Sequence, residues 1–203
     1  MKENAIKPAL LGGLMILLAM PSSNAGDLLE GAGARTLAMT CAGCHGTNGS
    51  SVGLAAPTIG GMHPEYFVDI MAGFAEDEIY STVMGRIARG YTAAEIELMA
   101  GYFHEMPFVP ADQAFDAELV ATGQRLHEEY CEKCHMEGGT PVEGEEYYIT
   151  AGQWIPYLKN AMADFRQDRR PIERKMKRKL EEMLERDGEE SLDALYAFYA
   201  SQQ

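Results

Sequence analysis

Cys41-Ala42-Gly43-Cys44-His45 and Cys131-Glu132-Lys133-Cys134-His135 repeat one Cys-x-x-Cys-His pattern at an offset of 90 residues, and together they use all four cysteines of the 203-residue chain. The flanks keep step. A glycine stands eight residues before each first cysteine, Gly33 and Gly123, on a stretch that reads as a helix with Leu37 in one copy and Leu126 in the other. Downstream, Pro64-Glu65-Tyr66-Phe67 answers Ile155-Pro156-Tyr157-Leu158, and Phe74 answers Phe165. Each copy closes on an amphipathic helix, marked by Ile96, Met99 and Phe103 in the first and by Leu192, Leu195, Phe198 and Tyr199 in the second. The offset has grown to 96 there, which places extra residues of the second copy around Glu185 to Glu190. The pattern is an internal duplication.

No alternating run of β-branched residues is long enough for a strand, so the fold class is all-α. Gly- and Pro-rich loops divide the chain into helices expected over 27–45, 64–74, 77–90, 93–105, 113–134, 153–166, 171–186 and 190–201. The two prolines of Met106-Pro107-Phe108-Val109-Pro110 disfavour helix and mark the boundary between a first domain at 26–110 and a second at 111–203.

A composition of 46% hydrophobic and 24% charged residues is globular, and 31 Asp+Glu against 17 Lys+Arg give a net charge of −14. Such a surface repels phosphate backbones and argues against a nucleic-acid partner. The first 25 residues read as a signal peptide: Lys2 and Lys7, an apolar stretch from Ala9 to Met20, then Pro21-Ser22-Ser23-Asn24-Ala25 with cleavage after Ala25. A membrane anchor would need about 20 apolar residues, more than this run has, and no later stretch could span a bilayer. Loss of Lys2, Glu3 and Lys7, together +1, takes −14 to near −15 in a mature chain working in an oxidising, extracytoplasmic compartment.

In Cys-x-x-Cys-His two thiols one helical turn apart can each add across a vinyl group of a haem, while the adjacent histidine binds the iron. Two copies imply two covalently bound haems c, attached at Cys41 and Cys44 and at Cys131 and Cys134, with His45 and His135 as proximal ligands. A zinc site shared by the two cysteine pairs is the alternative, but duplication gives each pair its own unit and its own histidine. A thioredoxin-like dithiol would want a βαβ setting that is absent.

A methionine thioether suits the sixth iron position. In the first copy Met84, 39 residues after His45 in Ser81-Thr82-Val83-Met84-Gly85-Arg86-Ile87, is preferred over Met62 and Met71. Met62 aligns with Gln153, and Met71 aligns with Met162 on an apolar face where methionine usually packs. In the second copy Met176, 41 residues after His135, has nearly the same spacing, whereas Met183 sits among Leu180 and Leu184 at core-like intervals.

The other histidines, His63, His104 and His127, read as surface or capping residues. Tyr66, Phe67, Tyr102, Phe103, Trp154, Tyr157, Phe198 and Tyr199 could line an electron path, with packing as the preferred reading. Ten of the 17 basic residues fall between Lys159 and Arg186, interleaved with acids. They read as a solvated face from which some arginines could also meet haem propionates.

Gly123-Gln124-Arg125-Leu126-His127-Glu128-Glu129-Tyr130 before the second motif, Ala151-Gly152-Gln153-Trp154, Ala163-Asp164-Phe165-Arg166, Met84-Gly85-Arg86-Ile87-Ala88 and the ending Leu195-Tyr196-Ala197-Phe198-Tyr199-Ala200-Ser201-Gln202-Gln203 resemble the dihaem cytochrome subunit of flavocytochrome c sulfide dehydrogenase. More broadly, the two-domain plan resembles the tandem class I dihaem cytochromes c of the bacterial periplasm. The resemblance implies His–Met ligation by His45 with Met84 and His135 with Met176, two haems close across a domain interface, and periplasmic location. It also implies a partner: a flavoprotein with FAD that oxidises sulfide and gives electrons to this chain, which passes them to a downstream acceptor. This chain lacks a glycine-rich dinucleotide fingerprint, so catalysis would lie on the partner. A free dihaem shuttle to a terminal oxidase and a haem peroxidase are the competing readings; the peroxidase would want an open sixth position in one domain.

Overall fold

The computed structural model describes residues 31–142 and 149–203. In chain order these form α1 (Ala34–Met39), α2 (Ala42–His45), α3 (Pro64–Ala75), α4 (Met84–Ala88), α5 (Ala93–His104), α6 (Val120–Leu126), a wide turn over His127–Cys131, a short turn α7 (Met136–Gly139), α8 (Ile155–Arg166), α9 (Arg174–Asp187) and α10 (Glu190–Ala200). No strand forms among the described residues. The signal-peptide reading of residues 1–25 lies outside them.

Duplication is written into the backbone. After each motif the chain turns through left-handed conformations, Asn48 and Gly49 at φ 58° and 79° and Gly138 and Gly139 at 72° and 83°. The Gly49 carbonyl accepts from Ile59 N–H at 2.8 Å and Gly60 N–H at 3.3 Å, while Gly139 accepts from Thr150 and Ala151 N–H, both at 3.0 Å. Further on, Gly61 N–H donates to the Phe103 carbonyl and Gly152 N–H to the Tyr199 carbonyl, each at 2.8 Å. Asp77 (φ 61°) and Asp168 (φ 53°) follow the matching helices α3 and α8.

Each half encloses its own apolar cluster. Leu37, Phe67, Met71, Ile96, Met99 and Phe103 fill the first. Leu126, Leu158, Met183, Leu195, Phe198 and Tyr199 are among those filling the second. Helix α1 packs on α5 and α6 on α10. At the second crossing a Cβ on Gly123 would lie 2.0 Å from the Ala194 carbonyl oxygen, so only glycine allows that approach.

Several helix expectations are shortened. The one at 77–90 reduces to α4, because Asp77 leaves the helical region and Ser81 Oγ accepts from Gly85 N–H at 2.8 Å to start the chain afresh. The one at 113–134 begins only at Val120. Before it, Ala111 N–H donates to Gly152 O at 2.7 Å, and the Gln113 amide bonds Gln153 O at 2.7 Å and Ile155 N–H at 2.9 Å, which ties the segment to the second half. The extra residues of the second copy lengthen α9 to 14 residues where α4 has 5.

The halves meet within one compact unit, Ala32–Gln203. Gln153 Nε2 donates to the Thr58 carbonyl at 2.7 Å and its Oε1 accepts from Thr58 N–H at 3.1 Å, with both residues 1% exposed. Trp154 Nε1 donates to Ser51 O at 3.1 Å, and Tyr80 N–H donates to Arg169 O at 2.8 Å. The Arg170 guanidinium donates to Tyr66 OH at 3.0 Å and reaches Tyr157 OH at 3.5 Å, so the two aligned tyrosines share one cation.

Candidate functional site

Each motif folds as one tight turn on its first cysteine. Cys44 and His45 N–H both donate to the Cys41 carbonyl, at 3.2 and 2.9 Å, and Cys134 and His135 N–H repeat this on Cys131 at 3.1 and 3.0 Å. The turn places both thiols and the imidazole of each motif on adjoining positions. None of the four cysteines is in a disulfide. Burial pushes the Cys41 thiol up and the Cys131 thiol up to about 11, so both rest as neutral thiols.

The His45 ring is held in one tautomer. Its Nδ1 stands 2.8 Å from the Pro57 carbonyl, which can only accept, so Nδ1 carries the proton and Nε2 keeps its lone pair for a metal. Burial lowers the His45 pKa, and the bond to Pro57 opposes it only in part, so the ring is neutral. Two thiols one turn apart beside a neutral imidazole of fixed tautomer fit a haem c. They do not fit a zinc site shared by the two pairs: among the described residues no three His, Cys, Asp or Glu side chains gather as a metal site would need.

The methionines separate by surroundings. Met62 and Met71, the rivals in the first copy, are buried in the first core. Met84 opens α4, half-buried against the same core. Met176 lies in the first turn of α9, half-buried, while Met183 is 1% exposed at the centre of the second core beside Leu180 and Leu184. Met84 and Met176 thus share a place at a helix start, and Met183 packs in the second core.

His127 corrects the surface reading. It is 1% exposed, with Nε2 2.7 Å from Glu132 Oε2 and Nδ1 2.9 Å from the Tyr199 hydroxyl. The cause is its place one turn after Gly123, where α6 meets α10; the wide turn that follows, with Glu132 N–H reaching back five residues to the His127 carbonyl at 2.8 Å, brings Glu132 beside the ring. Helical periodicity gives no sign of such a turn; a His five residues ahead of a Glu is the one hint the sequence holds. His63 caps the start of α3, and His104 ends α5.

The packing reading of the aromatics holds, with Phe67 on Phe103 at 5.7 Å and Phe198 on Tyr199 at 5.6 Å between ring centroids. Much of the basic run is an ion-paired face: Lys159–Asp193 2.8 Å, Arg166–Glu189 2.6 Å, Arg169–Asp164 2.7 Å, Lys179–Glu182 2.7 Å and Arg186–Glu129 3.2 Å. Arg170 instead faces the junction, and burial, opposed by Arg170, pushes the Tyr66 phenol up to about 12.

Comparison with solved structures decides the architecture. The reduced cytochrome c4 of Pseudomonas stutzeri superposes with a TM-score of 0.71 over 85% of this chain and 100% of its own, at 17% identity. The fold is that of two tandem class I cytochrome c domains. Among curated proteins, this chain is 49% identical over 67 residues to the cytochrome subunit of sulfide dehydrogenase of Chlorobaculum tepidum, a match covering 33% of this chain and 60% of that relative. It is 28% identical over 135 residues to cytochrome c4 of Thiocapsa roseopersicina, covering 62% of this chain and 69% of that one. No protein-family model matches it. The resemblance read from the motifs is met by relatives named as cytochromes. No helix among the described residues is long and apolar enough to cross a membrane.

Proposed function

We propose that this chain is the periplasmic dihaem electron-transfer subunit of a sulfide dehydrogenase, accepting electrons from an FAD-containing flavoprotein and passing them to a downstream acceptor. The supporting observation is the duplicated motif turn with His45 held on Pro57, joined to the sequence match with a relative named as such a subunit. Residues 1–25 would direct export, and 26–110 and 111–203 would each hold one haem.

Each haem would supply an iron that gains and loses one electron. The chain's own residues do the rest. Cys41 with Cys44, and Cys131 with Cys134, fix the two positions covalently. His45 and His135 would each ligate one iron, and Met84 and Met176, at matched helix starts, would each supply a second ligand. Gln153 and Thr58, pairing across a dry junction, hold the halves in fixed relation, so that electron exchange between them needs no domain motion. Arg170 is the guanidinium of the basic run suited to cofactor carboxylates at that junction.

The test is twofold. Mass spectrometry of the purified protein should show two haems that survive acid-acetone extraction. Size exclusion of the native extract, followed by haem and flavin absorbance together at low and high salt, should show one species that sulfide reduces. Haem eluting alone in both salts, and unreduced by sulfide when the flavoprotein is added, would leave a free dihaem shuttle.

A further inference from the structure

The second half contains a buried polar chain with no counterpart among the described residues of the first half. His127 lies between Glu132 and Tyr199 at 2.7 and 2.9 Å, and the Tyr199 hydroxyl reaches the sulfur of Cys131, the first attachment cysteine. Glu132 also accepts from Glu137 N–H at 2.9 Å and Gly138 N–H at 3.2 Å. Burial pushes this carboxyl up, but its bonds from Gly138, His127 and Glu137 outweigh that and hold it below the usual carboxylate range. Its side chain is 40% exposed where the imidazole is 1%, so Glu132 is the wet end of the chain. At the matching level of the first half stand Leu37 and Ala38, with Ala42 in place of Glu132 and Phe103 in place of Tyr199.

The hydrogen-bond directions follow from the imidazole. Nε2–H donates to Glu132. When the ring is neutral, Nδ1 accepts the Tyr199 O–H. When the ring is protonated, Nδ1–H donates to the Tyr199 oxygen, and the Tyr199 O–H is released toward the Cys131 sulfur. Burial pushes the phenol well above its usual value, so it keeps its proton in both states. One proton on His127 thus decides what the attachment sulfur receives. The remaining charged groups packed around this turn are occupied elsewhere: Lys179 on the Tyr130 ring, Asp187 on Tyr130 OH and Arg125, Arg186 on Glu129 and Glu182, and Glu128 on Gln124. Phe198 closes the other side at 5.4 Å.

We propose that His127, Glu132 and Tyr199 are positioning residues that link the second cofactor site to a proton, making its midpoint potential depend on pH while that of the first does not. As one electron arrives from the donor, one proton from water is taken up on Nδ1 of His127, and it leaves again on oxidation. Added negative charge in a low-dielectric interior favours the cation, so the potential falls as pH rises. The inference rests on the dihaem reading.

Spectroelectrochemical titration of the holoprotein between about pH 5 and 9 tests it. One of two midpoints should fall with pH and the other stay level. His127→Gln, which keeps a bonding side chain without titrating, should flatten the first and leave the second. Glu132→Gln, which removes the carboxylate that favours the imidazolium, should move the sloping window to lower pH. Two level midpoints in the native protein, a slope that survives His127→Gln, or a window unmoved by Glu132→Gln would each overturn the proposal. Should His127→Gln fail to fold, the half-exposed Glu132 variant decides. A native protein with one haem would defeat the dihaem reading instead, and mass spectrometry shows that separately.

Discussion

The two halves share a backbone and differ in what they bury. Gly49 and Gly139 accept the same pair of amides, and Gly61 and Gly152 donate to the same position of the last helix. Yet Phe103 faces an apolar α1, whereas Tyr199 faces a histidine and, through it, a carboxylate. Met62 packs into its own core, while Gln153, its partner by alignment, crosses to the other half. The scaffold that places a motif is thus separable from the side chains that condition it, and copying the first left the second free to diverge.

Substituting the two aligned glycines should break the comparison most visibly. A Cβ at Gly123 meets the Ala194 carbonyl oxygen at 2.0 Å and Phe198 Cβ at 2.7 Å, whereas one at Gly33 meets nothing within 4 Å among the described residues. Gly123→Val is expected to cost about 3 kcal/mol or more by forcing α6 off α10. Gly33→Ala should stay within about 0.5 kcal/mol, as surface changes do. Denaturant unfolding of both holoproteins reads the difference.

The methionines sharpen it next, because stability and ligation are reported by different signals. Met183→Ala should lose about 3 kcal/mol to a cavity and keep the full near-infrared sulfur-to-iron band of the oxidised protein. Met176→Leu should change stability by less than about 1.5 kcal/mol and remove half of that band, with Met84→Leu removing the other half. If Met183→Ala takes half the band and Met176→Leu none, the shared helix-start position is not the ligand position.

Third comes the junction. Gln153→Leu leaves the Thr58 N–H and carbonyl buried without their partner, and the expected cost is about 2 kcal/mol. Met62→Leu, at the aligned position, should cost less than about 1.5 kcal/mol, since it changes shape inside one core. Equal losses at the two positions would mean that the junction is not held by this pair.

Local patterns carried most of the fold in the sequence, and long-range contacts carried what it hid. The motifs fixed the duplication, and α3, α5, α8 and α10 lie within a residue or two of expectation because proline starts, a Thr92–Glu95 capping box and apolar spacing are local signals. The place of Met183 among Leu180 and Leu184 in the second core was legible from spacing alone. The extended stretch after Pro110 was not, because it depends on Gln113 bonds to residues 40 and 42 positions away. Nor was the His127 relay, since a single wide turn brings Glu132 round to the imidazole and the ring's other partner, Tyr199, lies 72 residues on.

The smallest expected effect concerns acid. With its folded pKa depressed, Glu132 contributes stability that is fully present above its unfolded value of about 4.3 and is lost as pH falls through the folded value. Its side chain is 40% exposed, so solvent screens much of this, and the effect should be a shift of the acid transition rather than its removal. The first half has Ala42 there and no such term. On acidification, near-ultraviolet dichroism from the second half, where Tyr130, Tyr196 and Tyr199 are buried, should therefore fade before that of the first. In Glu132→Gln the amide keeps one accepting oxygen, for the Glu137 or the Gly138 N–H, and does not titrate, so the early phase should flatten and the two halves should lose structure together. An early phase that persists in this variant would move its origin to another carboxylate of the second half, and Asp187, which accepts from Tyr130 OH at 2.9 Å and is held below its usual range chiefly by that bond, is the next to substitute.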